Sequence, residues 1–358
     1  MKKTILHFIY DLGRGGAETM LVRVIKELPE YNNIVVTLYD NNQFGAELQC
    51  TRYICLKQRS LLFFPFTALA LRKLIRQYHV DIVHTHLFWP TLIARIATPK
   101  NVTLITTIHA FIATSVEYKK WFIRFLDKVS YRLHKSVIIG VAKGATAEYF
   151  SFLKLKPYRC YSIYTFVDIG QFNYSKAIEK KEQEGFRLIS VGALRLQKNH
   201  QFLVDAFRLL KNEPIHLHIY GEGPLKPVLQ HSIDEAAVNI SLKGMVTNIH
   251  ELLPQYDLFV MSSTFEGFSL GVLETMAMKV PMLLSDIVSF REQCDDTAMF
   301  FSLNDVNDFA DKLKTLISDQ KKREQLSEKA YNRVINNFTL AHHVKQLKQV
   351  YLENSNNN

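Results

Sequence analysis

Short β-branched or aromatic runs alternate with helical patterns along the whole chain, as βαβ units around a mainly parallel sheet require. In the first half, apolar runs predict strands over Thr4–Tyr10, Asn33–Tyr39, Asp81–His84, Val102–Thr107 and Ser136–Val141. Helical spacing predicts helices over Ala17–Leu28, Leu61–Tyr78, Trp89–Ala97, Glu117–His134 and Ala142–Leu153. The polar, charged stretch Ser175–Gly185 reads as a linker. A second series then predicts strands over Phe186–Val191, Ile215–Tyr220, Asn239–Leu242, Leu258–Met261, Pro281–Leu284 and Ala298–Phe301. Its helices fall near His200–Lys211, Leu225–Ala237, Leu270–Met278 and Val306–Ser318. The pattern predicts two tandem Rossmann-like doubly wound α/β domains, 1–170 and 186–335, with a linker at 171–185. A C-terminal helix in 336–358 is expected to return to the first domain, with a frayed tail at Asn354–Asn358. Such domains take ligands at the carboxyl ends of their strands, so an interdomain cleft is the expected site.

A length of 358 residues suits two domains, and 47% hydrophobic with 22% charged residues excludes disorder and fibrous repeats. Cys50, Cys55, Cys160 and Cys294 are too few and scattered for a disulfide framework. Cys50 and Cys55 read as small buried hydrophobes rather than half of a zinc site, because no second Cys/His pair completes one. The longest apolar run, Leu61–Leu71, is broken by Pro65 and falls short of the roughly 20 residues that span a bilayer. The N-terminal apolar stretch reads as a buried strand rather than a signal peptide, so a reduced, cytoplasmic setting is expected.

Charge is uneven. Through Ser175 there are 23 Lys/Arg against 11 Asp/Glu, and beyond it 21 against 23. The basic half calls for an anionic partner: lipid, nucleic acid or a phosphorylated substrate. No nucleic-acid module is visible, so nucleic acid is not expected. Two stretches, Lys57–Arg76 and Lys119–Lys135, are cationic, aromatic and amphipathic, as helices on anionic membrane surfaces are. The plainer alternative is a solvated face packed on the core.

Two constellations suit the binding of a diphosphate. Around Ser262–Ala277 a strand ends, a glycine-bearing turn follows, and a helix begins near Ser269, which presents backbone N–H groups to an anion. Glu266 lies on that turn and Glu274 in the helix; the bland alternative is two solvated carboxylates. Gly192 allows close backbone approach after another strand, and Arg195 and Lys198 follow as cations. Its glycine spacing fits neither a dinucleotide fingerprint nor a P-loop. Gly13–Glu18 is a similar glycine turn in the first half, and Gly221–Pro224 is a generic turn. His84 and His86 read as hydrogen-bonded structural groups, and His109 as either structural or part of a cleft. No Asp-x-Asp pair is present, which disfavours metal-held nucleotide diphosphate.

Taken in order, Gly15–Glu18, Asp81–His86, His109, Ile163–Phe172, Val191–Asn199, Gly221–Pro224 and Glu266–Glu274 resemble the retaining family-4 glycosyltransferases of GT-B architecture. The resemblance implies transfer of a sugar from a nucleotide diphosphate, with UDP favoured, to a saccharide or polyprenyl-diphosphate-linked saccharide. Bacterial surface polysaccharide assembly is the implied setting, at the inner face of the cell membrane, with no cofactor or metal. It implies Lys198 on the donor diphosphate, Glu274 on the ribose, Glu266 on the transferred sugar, and His109 on that sugar from the other domain. Gly267, Phe268, Ser269 and Leu270 would meet sugar and phosphate, Met245 and Val246 the base, and Gly15 and Gly16 would admit phosphate and acceptor. Two departures stand out. Ala193 replaces a frequent arginine, so Arg195 substitutes or one cation is missing, and Phe166 stands where the junction often has glycine. A nucleotide-sugar 2-epimerase, a non-catalytic sugar-nucleotide-binding protein and a membrane-surface protein are the alternatives.

Overall fold

A computed structural model describes residues 2–58, 63–109, 111–112, 117–176 and 185–355. Most of the expected linker, Leu61 and Leu62 of the expected second helix, and the last three tail residues lie outside them. The chain divides into two compact units, Met1–Thr165 with Leu340–Asn358, and Phe166–Thr339.

The first unit holds strands β1 (Thr4–Ile9), β2 (Asn32–Thr37), β3 (Arg52–Cys55), β4 (Ile82–His86), β5 (Thr103–Ile108), β6 (Val137–Gly140) and β7 (Cys160–Ser162). They form one parallel sheet in the order β3-β2-β1-β4-β5-β6-β7. Helices α1 (Gly16–Lys26), α2 (Phe64–Gln77), α3 (Phe88–Ala97), α4 (Trp121–Leu133) and α5 (Lys143–Leu153) make the crossovers. Because helices cover both faces, β1 and β4 are buried along their whole length; β1 reads as a mainly apolar run, whereas β4 also buries His84, Thr85 and His86. Pro65 falls in the first turn of α2, where its missing N–H costs no helical bond.

The second unit repeats the plan with β8 (Phe186–Val191), β9 (Ile215–Tyr220), β10 (Ile240–Gly244), β11 (Leu258–Met261), β12 (Met282–Ser285) and β13 (Met299–Phe301). Their order is β10-β9-β8-β11-β12-β13, again parallel. Helices α6 (His200–Arg208), α7 (Lys226–Ala236), α8 (Ile249–Leu252), α9 (Leu270–Ala277), α10 (Val288–Cys294), α11 (Val306–Ser318) and α12 (Gln320–Asn337) accompany them. Leu203, Phe207, Leu217, Val260, Phe301 and Phe309 centre the core on one face of this sheet. The last helix, α13 (Leu340–Ser355), belongs to the first unit, where the Tyr351 hydroxyl meets His84 Nδ1 at 2.7 Å.

Edge strands β3 and β7 and the short helices α8 and α10 were not expected from the apolar pattern. β3 lies at the sheet edge, so Cys50 and Cys55 are half-buried rather than buried. All four cysteines are free thiols.

Candidate active site

In each sheet the strand order reverses at one point, between β1 and β4 and between β8 and β11. The loops diverging there leave a crevice at the strands' carboxyl ends, where doubly wound folds bind ligands. In the second unit, the loops leaving β8 and β11 carry the residues singled out by sequence. Ser262 Oγ donates to the carbonyls of Lys198 and Asn199, at 3.1 and 2.9 Å. Thr264 N donates to Gln197 O at 2.9 Å, and Gln197 Nε2 returns a bond to Phe265 O at 3.0 Å. These cross-links hold the two loops in register.

Their product is an ion pair. Lys198 Nζ lies 2.7 Å from Glu266 Oε1, and both side chains are largely buried. Met261 lines the same spot, with its sulfur 4.0 Å from Lys198 Nζ and 3.8 Å from Ser269 Oγ. Gly192 lies against the lysine stem, where a Cβ would come 3.0 Å from Lys198 Cε. Gly221, leaving β9 with φ +150°, has a stricter reason to be glycine. A Cβ there would fall 2.0 Å from the Gly192 carbonyl oxygen, a backbone atom that cannot step aside.

Ser269 caps α9 with extended backbone, but its hydroxyl makes no capping bond. The buried side chain of Gln293, on α10, clamps it instead: Oε1 accepts from Ser269 N at 3.0 Å and Nε2 donates to Ser269 O at 2.8 Å. Ser285 Oγ similarly donates to Ser263 O at 2.7 Å. Neither Gln293 nor Ser285 carries a sequence signal, since nothing in their spacing ties them to the Ser262–Ser269 loop.

The other expected residues fall around this centre in different ways. Gly267 continues the loop, Leu270 starts α9, and Glu274 is half-buried in the second turn of that helix. Phe268 is buried edge-on against Phe338. Met245 is exposed and Val246 half-buried in the turn after β10. Arg195 is exposed and borders a groove with Leu196, Leu225 and Val228.

In the first unit, Gly15 precedes α1 and Gly16 opens it, both exposed; a Cβ on Gly15 would come 2.3 Å from Glu18 Oε2. His109 lies just beyond β5, with Nε2 3.0 Å from His86 Nδ1. Removal of its ring from water lowers its pKa to about 4, so it is neutral near pH 7 and acts only through hydrogen bonds. His84 is hydrogen-bonded at both nitrogens, to Tyr351 Oη and Thr107 Oγ1, each at 2.7 Å.

His109 also borders a cavity of about 120 Å³, with Phe88, Thr107, Tyr118, Asp127 and Tyr149. Beneath it Arg95 and Asp127 form a buried ion pair. Asp127 further accepts from the Tyr118 hydroxyl and, at 2.9 Å, from the Tyr149 hydroxyl. Burial alone would lower the Arg95 pKa, but Tyr149 and Asp127 outweigh it and hold the guanidinium charged.

On the same unit, α3 packs between α2 and α4. The inward face of α4 buries Ile123, Ser130 and Tyr131, while Trp121, Phe122 and Phe125 face outward and Trp121 is 71% exposed. Phe63, Phe66 and Leu69 are likewise exposed at and along α2. Lys119, Lys120, Arg124, Lys128 and Arg132 accompany the α4 aromatics. The unit has 25 Lys/Arg against 11 Asp/Glu, whereas the second has 19 against 23. Among the described residues no helix is long and apolar enough to cross a membrane.

Known proteins match this chain over nearly its full length. The Campylobacter jejuni N-acetylgalactosamine-N,N'-diacetylbacillosaminyl-diphospho-undecaprenol 4-alpha-N-acetylgalactosaminyltransferase is 27% identical, over 91% of this chain and 93% of its own. The Escherichia coli UDP-Gal:alpha-D-GlcNAc-diphosphoundecaprenol alpha-1,3-galactosyltransferase is 25% identical, over 80% of this chain and 78% of its own. A glycosyltransferase structure from Rickettsia africae covers the whole of both chains at a TM-score of 0.85, with 18% identity, which shows a shared fold. Residues 14–171 match Glycosyltransferase Family 4 and residues 172–333 match Glycosyl transferases group 1. With two doubly wound parallel sheets and both family matches end to end, this chain is a retaining glycosyltransferase of family 4 with the GT-B fold.

Proposed function

We propose that this enzyme transfers a sugar from a UDP-sugar to a polyprenyl-diphosphate-linked saccharide at an anionic membrane surface. The observation that carries the reading is the Lys198–Glu266 pair at the strand-order reversal of the second unit. Breaking the anomeric C–O bond puts negative charge on the leaving diphosphate and positive charge on the sugar ring. Lys198 and the α9 N-terminus answer the first, and preorganised donors of this kind are commonly worth about 3–4 kcal/mol. Glu266 holds hydroxyls of the transferred sugar, and Glu274 takes the ribose. Before donor binds, each member of the pair satisfies the other; a diphosphate competes for the lysine and frees the carboxylate for sugar hydroxyls.

Attack comes from the face the phosphate leaves, and the acceptor proton passes to the departing phosphate, so configuration is retained without a protein base. Glu266 is therefore a positioning group rather than a nucleophile. Neutral His109 contributes a hydrogen bond to the sugar, and Gly15 and Gly16 admit phosphate and acceptor. Two relatives are named for undecaprenyl-diphosphate-linked acceptors, and one of them for UDP-galactose. The outward aromatics and cations of α2 and α4 suit the lipid surface on which such an acceptor sits.

Binding and slow hydrolysis of UDP-, GDP- and ADP-sugars, measured without added metal, test the donor assignment. UDP-sugar is expected to bind, and its hydrolysis to fall about 10²–10³-fold in Lys198→Ala and Glu266→Ala. A wild-type protein that binds no UDP-sugar would overturn the reading. Lipid-linked and free saccharides, compared as acceptors, test the second half.

A further inference from the structure

The register of the first sheet gathers three histidines. His7 of β1 pairs with His84 of β4, and His86 lies two residues further along β4, so all three rings leave the same face. All are buried, between that face and helices α1 and α13, and one ring nitrogen from each lies within 4.8 Å of the others.

Hydrogen bonding decides what these nitrogens offer. The Asn33 amide nitrogen is committed to the carbonyls of Leu28 and Tyr31, so its Oδ1 faces His7 Nε2 at 3.1 Å as an acceptor. His7 Nε2 therefore carries the proton, and Nδ1 is a bare lone pair, buried with no hydrogen-bond partner. His86 engages His109 through Nδ1, and its Nε2 is also buried without a partner. The cavity these rings line measures about 10 Å³, the lower limit for one water and ample for a bare ion. Two unanswered imidazole lone pairs in a water-poor pocket lack a ligand.

We propose that His7, His84 and His86 form a buried structural site for one divalent transition-metal ion of the zinc class. Neutral imidazoles without a carboxylate or thiolate suit Zn²⁺, Co²⁺, Ni²⁺ or Cu²⁺ rather than Mg²⁺ or Ca²⁺. Bonds of about 2.0–2.1 Å require nitrogens about 3.4 Å apart, so the rings close in on the ion. His84 joins by releasing one of its two hydroxyl partners. Asn33 and His109 hold the other nitrogens of His7 and His86, as the outer partners of metal-bound histidines commonly do. The ion then fixes the proton of His86 on Nδ1, making His109 Nε2 the acceptor. Because the site is sealed, it fills as the unit folds.

The test is metal analysis of untagged full-length protein from cultures supplemented with zinc or cobalt. The expected result is about one equivalent per chain, with visible ligand-field bands of nitrogen-bound cobalt in the second preparation. His7→Ala and His86→Ala should each lower the content at least tenfold, while exchange of the exposed His231 for Ala leaves it unchanged. Folded wild-type protein that carries no stoichiometric metal overturns the proposal, whether or not the variants fold. Metal retained by both folded variants overturns it equally, and places the ion elsewhere.

Discussion

The two units share a topology and spend it differently. Each reverses its strand order once, yet the reversal in the second unit presents an ion pair beside a helix N-terminus. The first unit has buried imidazoles near its own reversal. Their net charges differ as well, +14 against −4. Topology thus supplies a crevice, and the loops leaving the strands decide which chemistry fills it. The second unit holds its charges by lacing two loops together through backbone carbonyls. The first buries one ion pair, Arg95–Asp127, under a cavity and keeps Trp121, Phe122 and Phe125 of α4 outside.

The largest effect should break the first unit alone. Arg95→Met leaves Asp127 buried without its cation, which should cost about 3–5 kcal/mol in urea unfolding. The double variant with Asp127→Leu should recover most of that loss. A stable single variant would mean that Tyr118 and Tyr149 satisfy the carboxylate by themselves.

Acid should weaken both units through their buried histidines, His134 in the first and His200 in the second among them. Burial, reinforced by Lys100 beside His134 and Lys198 beside His200, lowers both pKa values to about 4. The unfolded chain binds these protons near pH 6.5 and the folded chain does not, so stability falls as pH drops from 6.5 towards 4. Each group should cost about 2 kcal/mol by pH 5. Denaturant midpoints from pH 7.5 to 5 would register the slope, and His200→Gln should flatten its share.

Gln293→Leu is expected to loosen the α9 N-terminus by removing both hydrogen bonds to Ser269, a loss of about 1–3 kcal/mol. The effect should appear as weaker donor binding in titration calorimetry, with unit 1 unperturbed. Unchanged affinity would show that the loop cross-links suffice.

The smallest effect concerns the outer face of α4. Trp121→Ser with Phe125→Ser should reduce binding to anionic vesicles several-fold, about 1–2 kcal/mol, and leave donor hydrolysis unchanged. Equal vesicle binding by the double variant would remove this face as the lipid contact.

Much of the architecture was legible because buried parallel strands read as apolar runs, uninterrupted in Leu258–Met261 and broken only by Arg187 and Ser190 in Phe186–Val191. The edge strands of the first sheet do not: Arg52–Cys55 and Cys160–Ser162 are short and only partly buried, so no pattern marks them. The approach of Lys198 to Glu266 was foreseeable in outline, since both follow strands that doubly wound order makes neighbours. Gln293 was not, because a glutamine that binds only backbone needs no particular residue opposite it. The histidine cluster needed the β1–β4 register, which apolar periodicity alone does not specify.

The placement of α13 has a consequence for biosynthesis. Lys3 Nζ meets Ser355 Oγ at 2.6 Å, and His84 waits for Tyr351, 267 positions downstream. The unit that emerges first from the ribosome is therefore completed last, after the whole second unit has been made. Until α13 has emerged, the sheet face that it covers stays open to water. A nascent chain in that state offers chaperones the side chains that α13 later covers.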